Sequence, residues 1–557
     1  MKLMLGTNVV AYDWNSHWAR RTNLINEENP QFNFATGLET NGADANWDSQ
    51  VGFFGRANYV YKGKYLLEGN LRYDGTSKFP SHLRWRWYPS VSAGWVVTSE
   101  NFMEGITDVL SFAKIRGSWG NIGDQSVSNS LYVPTMDITK NSWLNGAGQQ
   151  FFQLGTPGAV STAITWQDIE HSNIGADLRF FNKLGVVFEY FQRKTNNMII
   201  PGEALPGTFG ASAPQGNFGS LRTRGWELNL DYSHRFDNGL RLTANANIAD
   251  AISVITKGAD WNTPWENRLL GTTYSTGRRY GDIFGYVTDR LYQAEDFVYD
   301  DNGNHVVTTI IHEGNARQTN MLAGDNPIYQ TQFQTGTVAW GYISPGDVKF
   351  VDVNGDGYIT NGRGTNGDPG DRVVIGNTTP RYEYGFRLGA DYKGFDMSVF
   401  MQGVGKREIW GAGQLAIPGF HVKDGAMPQA IAGDFWKKDR TDAFYPRAWN
   451  LNGEASGQTM VPQSRYLLDM SYFKIKNITV GYALQPNVLD RLNLKNARIY
   501  VSLENFFLFD NLRGLPIDPE TISGNSGSLP SGSYNLGRTG TGNPSFKSAS
   551  LGIQIGL

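Results

Sequence analysis

The sequence predicts an all-β protein, and more narrowly a transmembrane antiparallel β-barrel. Stretches of about ten residues alternate apolar and polar side chains, very short turns join neighbouring stretches, and long polar connections separate the resulting hairpins. No apolar run approaches the ~18 residues that a membrane-spanning helix needs. About fourteen candidate strands can be counted, a number that includes two weakly patterned segments at 149–154 and 281–290.

The clearest strand pair runs from Val51 to Tyr73. Because successive side chains of a strand point to opposite faces, its alternation predicts one apolar face and one polar face. The polar positions include Arg56, Asn58, Glu68, Asn70 and Arg72. The apolar positions are Val51, Phe53, Ala57, Tyr59, Tyr61, Tyr65, Leu67, Leu71 and Tyr73.

Three further hairpins repeat this alternation around short turns at 181–183, 235–239 and 393–394. The second turn contains Asn238-Gly239, a pair that tolerates positive φ. The last stretch alternates up to the apolar Leu557. Long connections rich in Gly, Asn, Ser and Thr are uncommon in compact soluble domains but usual on the extracellular side of outer-membrane barrels. They span about 120–167, 201–220, 257–282, 291–380 and 406–463.

Composition narrows the class of function. A net charge of −3 gives no basic field for a phosphate backbone, so we expect no nucleic-acid partner. The absence of cysteine excludes disulfides, thiol nucleophiles and thiolate metal sites. The seven histidines are far apart in the chain, and no nucleophile and base pattern accompanies them, so we expect no enzymatic activity.

One loop has the oxygen spacing of a calcium site. Acidic and amide side chains stand at alternate positions, and Gly357 stands at the sixth, as in a calcium loop. Position twelve is Arg363 in place of a bidentate Glu, so Asp368 or Asp371 would have to close the site. The alternative is an Asn-Gly turn held by Asx hydrogen bonds. The candidate ligands of a structural Ca²⁺ are Asp352, Asn354, Asp356, Tyr358, Thr360 and Asp371.

Tryptophans in or beside the long connections are the candidate ligand-binding residues. Collectively they favour a neutral ligand that stacks on aromatic rings, although each ring has the alternative role of packing its own loop. These candidates are Trp143, Trp166, Trp261, Trp265, Trp340, Trp410 and Trp436.

Several sequence blocks, taken in order, resemble the barrel of the SusC/RagA family of TonB-dependent outer-membrane transporters. Examples are Tyr-Asp-Gly-Thr-Ser-Lys-Phe at 73–79 and Asp-Val-Asn-Gly-Asp-Gly at 352–357. The blocks are Arg56–Tyr59, Tyr65–Glu68, Arg72–Phe79, Trp87–Trp95, Lys114–Gly120, Gly346–Phe350, Asp352–Gly357, Tyr472–Tyr482, Arg498–Phe507 and Asp518–Glu520.

The resemblance implies that residues 1–557 are the C-terminal part of such a barrel, about fourteen of an expected 22 strands. The signal peptide, N-terminal extension, TonB box and plug domain of the family have no counterpart before Met1. The chain would then be a truncated or split importer in the outer membrane of a Gram-negative bacterium.

The resemblance also implies partners and cargo. The expected partners are the lipid bilayer, a SusD-like surface lipoprotein over the long loops, and TonB, which would act only through the missing N-terminal region. The expected cargo is an oligosaccharide, with peptides as the second choice. The alternative from another class is a soluble or surface-attached all-β carbohydrate-binding or glycoside hydrolase module, which would pack its apolar strand faces into a core.

Overall fold

The computed structural model describes residues 1–144, 146–202, 205–258, 276–331, 342–362, 368–411, 428–447, 461–520 and 545–556. Fourteen antiparallel strands form one sheet, in which the order of the strands follows the order of the chain. The strands are β1 Lys2–Arg21, β2 Glu39–Tyr61, β3 Tyr65–Thr76, β4 Trp85–Val96, β5 Leu110–Asp124, β6 Gln167–Phe180, β7 Leu184–Pro201, β8 Gln215–Arg235, β9 Arg241–Lys257, β10 Arg381–Tyr392, β11 Phe395–Lys406, β12 Tyr472–Ala483, β13 Asn496–Asp510 and β14 Ser548–Gly556.

The predicted all-β fold and the count of fourteen strands are confirmed, but the two weakly patterned segments do not belong to the fourteen. Gln150–Leu154 pairs with Ile138–Leu144 in a separate hairpin within a long connection. The other segment contributes two short strands to small sheets of their own. Those small sheets pair Asp282–Tyr286 with Arg372–Asn377 and Thr288–Leu291 with Val348–Phe350, while Val307–His312 pairs with Asn315–Asn320 and Glu408–Trp410 pairs with Leu467–Asp469.

The irregular stretch expected from about 201 to 220 is shorter than predicted. β8 begins at Gln215, because Gly and Asn residues that look like a loop in the sequence continue the strand. Asn217 supports this segment, since its side-chain amide donates to the backbone carbonyls of Thr165 and Asn197. These two bonds connect the start of β8 to residues near the ends of β6 and β7.

Helices are few and short in the described part of the chain. It contains two α-helices, α1 Gln429–Ala432 and α2 Pro486–Leu492. Among the described residues, no helix combines the length and the apolar composition that crossing a bilayer requires. Single 3₁₀ turns occupy Phe32–Phe34, Ser81–Leu83, Val97–Ser99, Asn101–Ile106, Gly207–Phe209, Ala294–Asp296 and Ser464–Tyr466.

The chain divides into two compact units. Unit 1 comprises residues 1–103, 114–175 and 191–222, and unit 2 comprises residues 104–113, 176–190 and 223–557. In unit 1, β1 pairs with β2 along the whole 20 residues of β1, from Lys2 opposite Asn58 to Arg21 opposite Glu39.

The apolar face of unit 1 carries two groups of aromatic residues. Tyr65 and Tyr73 belong to different groups and are eight residues apart on β3, which corresponds to about 26 Å along a strand. Leu67 and Leu71 lie between them and are 52% and 46% exposed. A transmembrane barrel has the same plan, in which about 9–11 residues of each tilted strand cross an apolar band between two aromatic girdles. The first group is Tyr59, Tyr61 and Tyr65, and the second is Phe53, Tyr73, Trp85 and Trp87.

The opposite face of the same strands is polar. Arg56 Nε donates to Asn70 Oδ1 at 2.7 Å, and Arg72 donates to both carboxylate oxygens of Asp74. The face opposite the aromatic groups therefore carries hydrogen-bonded charges, as the alternation of the sequence predicts.

Unit 2 contains a hydrophobic core in its long connections. Eighteen buried apolar side chains form this loop core. Its presence shows that the described segments of these connections pack together. The loop core consists of Ile283, Tyr286, Leu291, Val348, Phe350, Ile359, Ile409, Trp410, Ile431, Trp436, Ala443, Tyr445, Tyr466, Leu468, Met470, Leu512, Leu515 and Ile517.

Candidate functional site

The structure separates the predicted tryptophans into three groups. Trp143 is 76% exposed. Trp166 is buried in a loop cluster of unit 1, and Trp410 and Trp436 belong to the loop core of unit 2. The remaining candidates, Trp261, Trp265 and Trp340, lie outside the described residues.

The buried tryptophans hold their loops together. Trp166 donates its indole N–H to the Arg84 carbonyl at 2.7 Å and packs edge-on against Tyr88. Trp436 lies against Gly346, whose φ of +88° brings the backbone close to the indole ring. A ligand would have to displace this packing to reach either ring. Trp143 is the one described candidate whose ring is accessible.

Trp143 belongs to a hairpin that exposes an unusual number of large apolar side chains. This loop hairpin consists of Ile138–Leu144 and Gln150–Leu154. Asn141 and Gln153 join its strands through a side-chain hydrogen bond of 2.9 Å. The only charged side chain in the two strands is Lys140. The exposed apolar side chains are Ile138, Trp143, Leu144, Phe151, Phe152 and Leu154.

The candidate calcium loop is closed by hydrogen bonds. The carboxylate of Asp352 accepts the backbone N–H groups of Gly355 at 2.6 Å and Gly357 at 2.8 Å. Asp371 is fully buried and accepts the N–H groups of Val353 and Thr360 at 2.9 and 2.7 Å. Burial raises the pKa of Asp371, and these two hydrogen bonds act in the opposite direction.

The other candidate ligands take part in the same turn. Asn354 accepts the N–H of Asp356, and Asp356 accepts the N–H of Tyr358. Across the described part of the chain, no three acidic or histidine side chains converge as they would around a metal ion. The side-chain oxygens of this loop therefore accept backbone N–H groups, as the alternative of an Asx turn predicts. Binding of Ca²⁺ stays a prediction.

Calcium titration distinguishes the two interpretations. If the loop binds Ca²⁺, the ion stabilises the folded state, so the melting temperature rises with calcium concentration and falls with a chelator. Asp352→Asn, which removes one charge from the donor set, should then weaken the calcium response. Differential scanning calorimetry of the wild-type protein and this variant measures both effects. An identical melting temperature in calcium and in chelator would contradict calcium binding and support the hydrogen-bonded turn alone.

The polar face of unit 1 forms a cleft of about 360 Å³. Charged and amide side chains from β3 line it, and His171 of β6 reaches it. These side chains make pairs among themselves, such as Arg72 with Asp74. Val91, Trp119 and Ile122 also line the cleft, so the lining is of mixed polarity. Lining residues from β3 are Glu68, Asn70, Arg72 and Asp74.

A charged cluster on β12 was not predicted from the sequence. Lys474 is 2% exposed and donates to Glu520 Oε2 at 2.5 Å. Lys476 and Gln402 donate to the same carboxylate. Burial alone would raise the pKa of Glu520, but the hydrogen bonds from both lysines lower it below its ordinary value. Two of the sequence blocks, Tyr472–Tyr482 and Asp518–Glu520, contain members of this cluster, but neither block indicated that they pair with each other.

Taken together, the fourteen-stranded sheet, its apolar face with two aromatic groups and its polar opposite face define an outer-membrane β-barrel protein. The chain belongs to the family described as TonB dependent receptor-like, beta-barrel, which matches residues 2–382.

Named relatives agree with this family. TonB-dependent receptor P26 of Formosa agariphila is 27% identical over 529 residues, which are 90% of this chain and 46% of that protein. TonB-dependent receptor SusC of Bacteroides thetaiotaomicron is 25% identical over 502 residues, 87% of this chain and 43% of that protein. The chain thus spans about half the length of the curated relatives that it matches.

Solved structures show the same fold. This chain aligns over its whole length with the structure of the RagAB peptide transporter, with a TM-score of 0.70 at 17% identity. The alignment covers 53% of the transporter chain. The 'open-open' state of the RagAB peptide importer gives a TM-score of 0.71 at 16% identity and covers 52% of that chain. At this identity the likeness concerns the fold alone.

Proposed function

We propose that this chain forms barrel strands of a SusC/RagA-type importer that carries oligosaccharides across the outer membrane of a Gram-negative bacterium. Family membership and the relative named SusC support the transporter class. The observation that carries the membrane placement is the spacing of the aromatic groups on β3, since residues 65–73 are nine residues of strand and a tilted strand crosses a bilayer in about 9–11.

The partners follow from the same proposal. A SusD-like surface lipoprotein would cover the long connections. The loop core of unit 2 packs the described parts of these connections, so their outer surface would be structured. TonB would act through a plug and TonB box, which the proposal places in the rest of the importer, since the chain spans about half the length of its curated relatives. In this arrangement the chain supplies strands of the barrel wall and the loops that face the cargo. The plug and the TonB box would couple transport to the energy source.

An accessible aromatic surface with a single charge supports an oligosaccharide as cargo. The loop hairpin exposes Trp143, two residues from Asn141, whose side-chain amide donates to Gln153 on the paired strand. Aromatic rings pack on the apolar faces of sugar rings, while amides donate to and accept from hydroxyl groups. With Lys140 as its one charge, the surface has little to attract a charged ligand.

Peptides are the second candidate cargo. The solved structures that share this fold with TM-scores near 0.7 are those of the RagAB peptide transporter and importer. An extended peptide would use the same exposed aromatic side chains and the strand edges of the hairpin.

Trp143→Ala is expected to weaken oligosaccharide binding about fivefold, because a stacked aromatic contact contributes roughly 1 kcal/mol. Full-length protein purified from outer membranes should be titrated calorimetrically with neutral oligosaccharides and with peptides of equal length. Trp87→Ala is the matched control, since Trp87 is also exposed but belongs to the aromatic group on the apolar strand face. Peptide binding that depends on Trp143, without oligosaccharide binding, would favour the second candidate.

A further inference from the structure

Two hairpin turns place a lysine in a backbone conformation that lysine rarely adopts. The turn between β2 and β3 begins with Tyr61-Lys62-Gly63, and the turn between β10 and β11 is Lys393-Gly394 after Tyr392. Lys62 has a φ of +50° and Lys393 a φ of +47°, and the following glycines are also positive. Turns of this kind favour Asn, Asp or Gly at the first position. A strained lysine at the same place in two turns points to a use for its charge.

Both lysine side chains lie beside the apolar face of the sheet. Lys62 Nζ is 5.4 Å from the ring centroid of Tyr61, and Lys393 Nζ is 5.1 Å from that of Tyr392. Tyr61 stacks on Tyr65 across β2 and β3 and belongs to the first aromatic group of unit 1. Tyr392 has the same parity along β10 as Leu388, which is 51% exposed, and so lies on that apolar face.

The nearby carboxylates do not neutralise these two lysines. Glu100 accepts from Lys64, the other lysine of the first turn, at 2.9 Å. Asp391 and Asp396 are directly opposite each other on the polar face of β10 and β11, and Asp396 is held by Arg498. Within the described ranges, neither Lys62 nor Lys393 has a carboxylate at ion-pair distance. Each ammonium therefore presents a positive charge next to an exposed tyrosine.

We propose that these two Tyr-Lys-Gly turns bind the phosphate of anionic phospholipids in the membrane leaflet that the turns reach. The proposal rests on the membrane placement of the proposed function. Tyrosine rings prefer the level of lipid headgroups, and a lysine beside them extends its ammonium towards the phosphates. Attraction to an anionic membrane surface contributes a factor of about five in affinity for each lysine. The turns would thereby fix how deeply the strands are inserted.

Lipid retention tests this proposal. Full-length protein purified from outer membranes is exchanged into nanodiscs with equal phosphatidylglycerol and phosphatidylcholine, and native mass spectrometry counts the lipids that remain bound. The wild type should retain phosphatidylglycerol in preference to phosphatidylcholine. In Lys62→Asn/Lys393→Asn that preference should fall by a factor between about five and 25. Asparagine accepts positive φ, so this double variant removes the charges and keeps the turns.

Two comparison variants make the result specific. Lys62→Arg/Lys393→Arg keeps the charges and should keep the preference. Lys140→Asn is the matched control, because Lys140 Nζ also lies over an aromatic ring, 5.8 Å from Phe152, but on a long connection. It should leave the preference unchanged. The proposal is overturned if the double asparagine variant retains phosphatidylglycerol as the wild type does, or if the wild type shows no preference.

Failure of the membrane placement itself gives a different result. Spin labels at Leu67 and Phe188, both exposed on their strands, should be accessible to oxygen dissolved in lipid and protected from water-soluble nickel complexes. If these labels respond as in water, the placement is wrong. If they respond as in lipid while the asparagine variant keeps the wild-type lipid preference, only the role of the lysines is wrong.

Discussion

Lys474→Met is expected to lower the free energy of unfolding by about 3–5 kcal/mol, the usual effect of removing one partner from a buried ion pair. The Lys474 side chain is 3% exposed and contacts the carboxylates of both Glu520 and Asp518, which are 15% and 8% exposed. Without its ammonium, two carboxylates would stay in a poorly solvated site with Lys476 as the remaining nearby cation. Urea-induced unfolding of the full-length protein in lipid vesicles measures the change.

A second ion pair provides the control for Lys474. Lys406 lies 3.3 Å from Glu408, but its side chain is 62% exposed. Lys406→Met should therefore cost less than about 1 kcal/mol, as surface ion pairs usually do. Equal losses in the two variants would contradict the assignment of Lys474 as a buried anchor.

Acid should weaken the same cluster. Because the folded-state pKa of Glu520 is below its ordinary value, the carboxylate contributes stability above that ordinary value and loses it as pH falls through the lowered pKa. The Lys474→Met variant should consequently show a smaller drop in stability between neutral and acidic pH than the wild type.

Asp371→Ala is expected to destabilise the loop around Asp352 by about 2–4 kcal/mol. The substitution leaves the N–H groups of Val353 and Thr360 without the acceptor that they have in the native loop. Each unsatisfied buried donor costs about 1–3 kcal/mol. Hydrogen exchange followed by mass spectrometry should show faster exchange of both amides, because the loop can open locally without unfolding the sheet.

The neighbouring Asp356 gives the matched comparison. Its carboxylate also accepts a backbone N–H, that of Tyr358 at 2.8 Å, but at an exposed position. Asp356→Ala should change the exchange of Val353 and Thr360 little. Asp371→Asn should be milder than Asp371→Ala, since the amide keeps one acceptor and burial already disfavours the charged form. An alanine variant with wild-type exchange would show that Asp371 does not close the loop.

The strands could be predicted because their signal is local. Alternation from Val51 to Tyr73 predicts the two faces of β2 and β3, and the structure adds their register, with Tyr61 opposite Tyr65. Turns at 181–183 and 393–394 are equally local, because a few residues decide the backbone conformation. The alternation within one strand therefore predicts its apolar and polar faces without knowledge of the neighbouring strands.

The loops could not be predicted in the same way. Whether a tryptophan is accessible depends on residues far away in the chain: Trp410 packs in a core that also contains Ile283 and Leu512. The contact of Lys474 with Glu520 joins residues 46 positions apart and has no periodic signal. The acidic loop was recognised, but the sequence could not show that Asp371 turns its oxygens towards backbone amides.

The long pairing of β1 with β2 has a directional consequence. Crossing a bilayer takes about 9–11 residues per strand, whereas this ladder continues for 20. The cost of breaking its hydrogen bonds therefore differs between the two ends. A lost hydrogen bond costs several kcal/mol in hydrocarbon, and far less where water replaces the partner. Fraying should begin at Arg21 and Glu39 and stop where lipid begins. The part of the ladder in lipid should therefore stay paired while the part in water opens and closes.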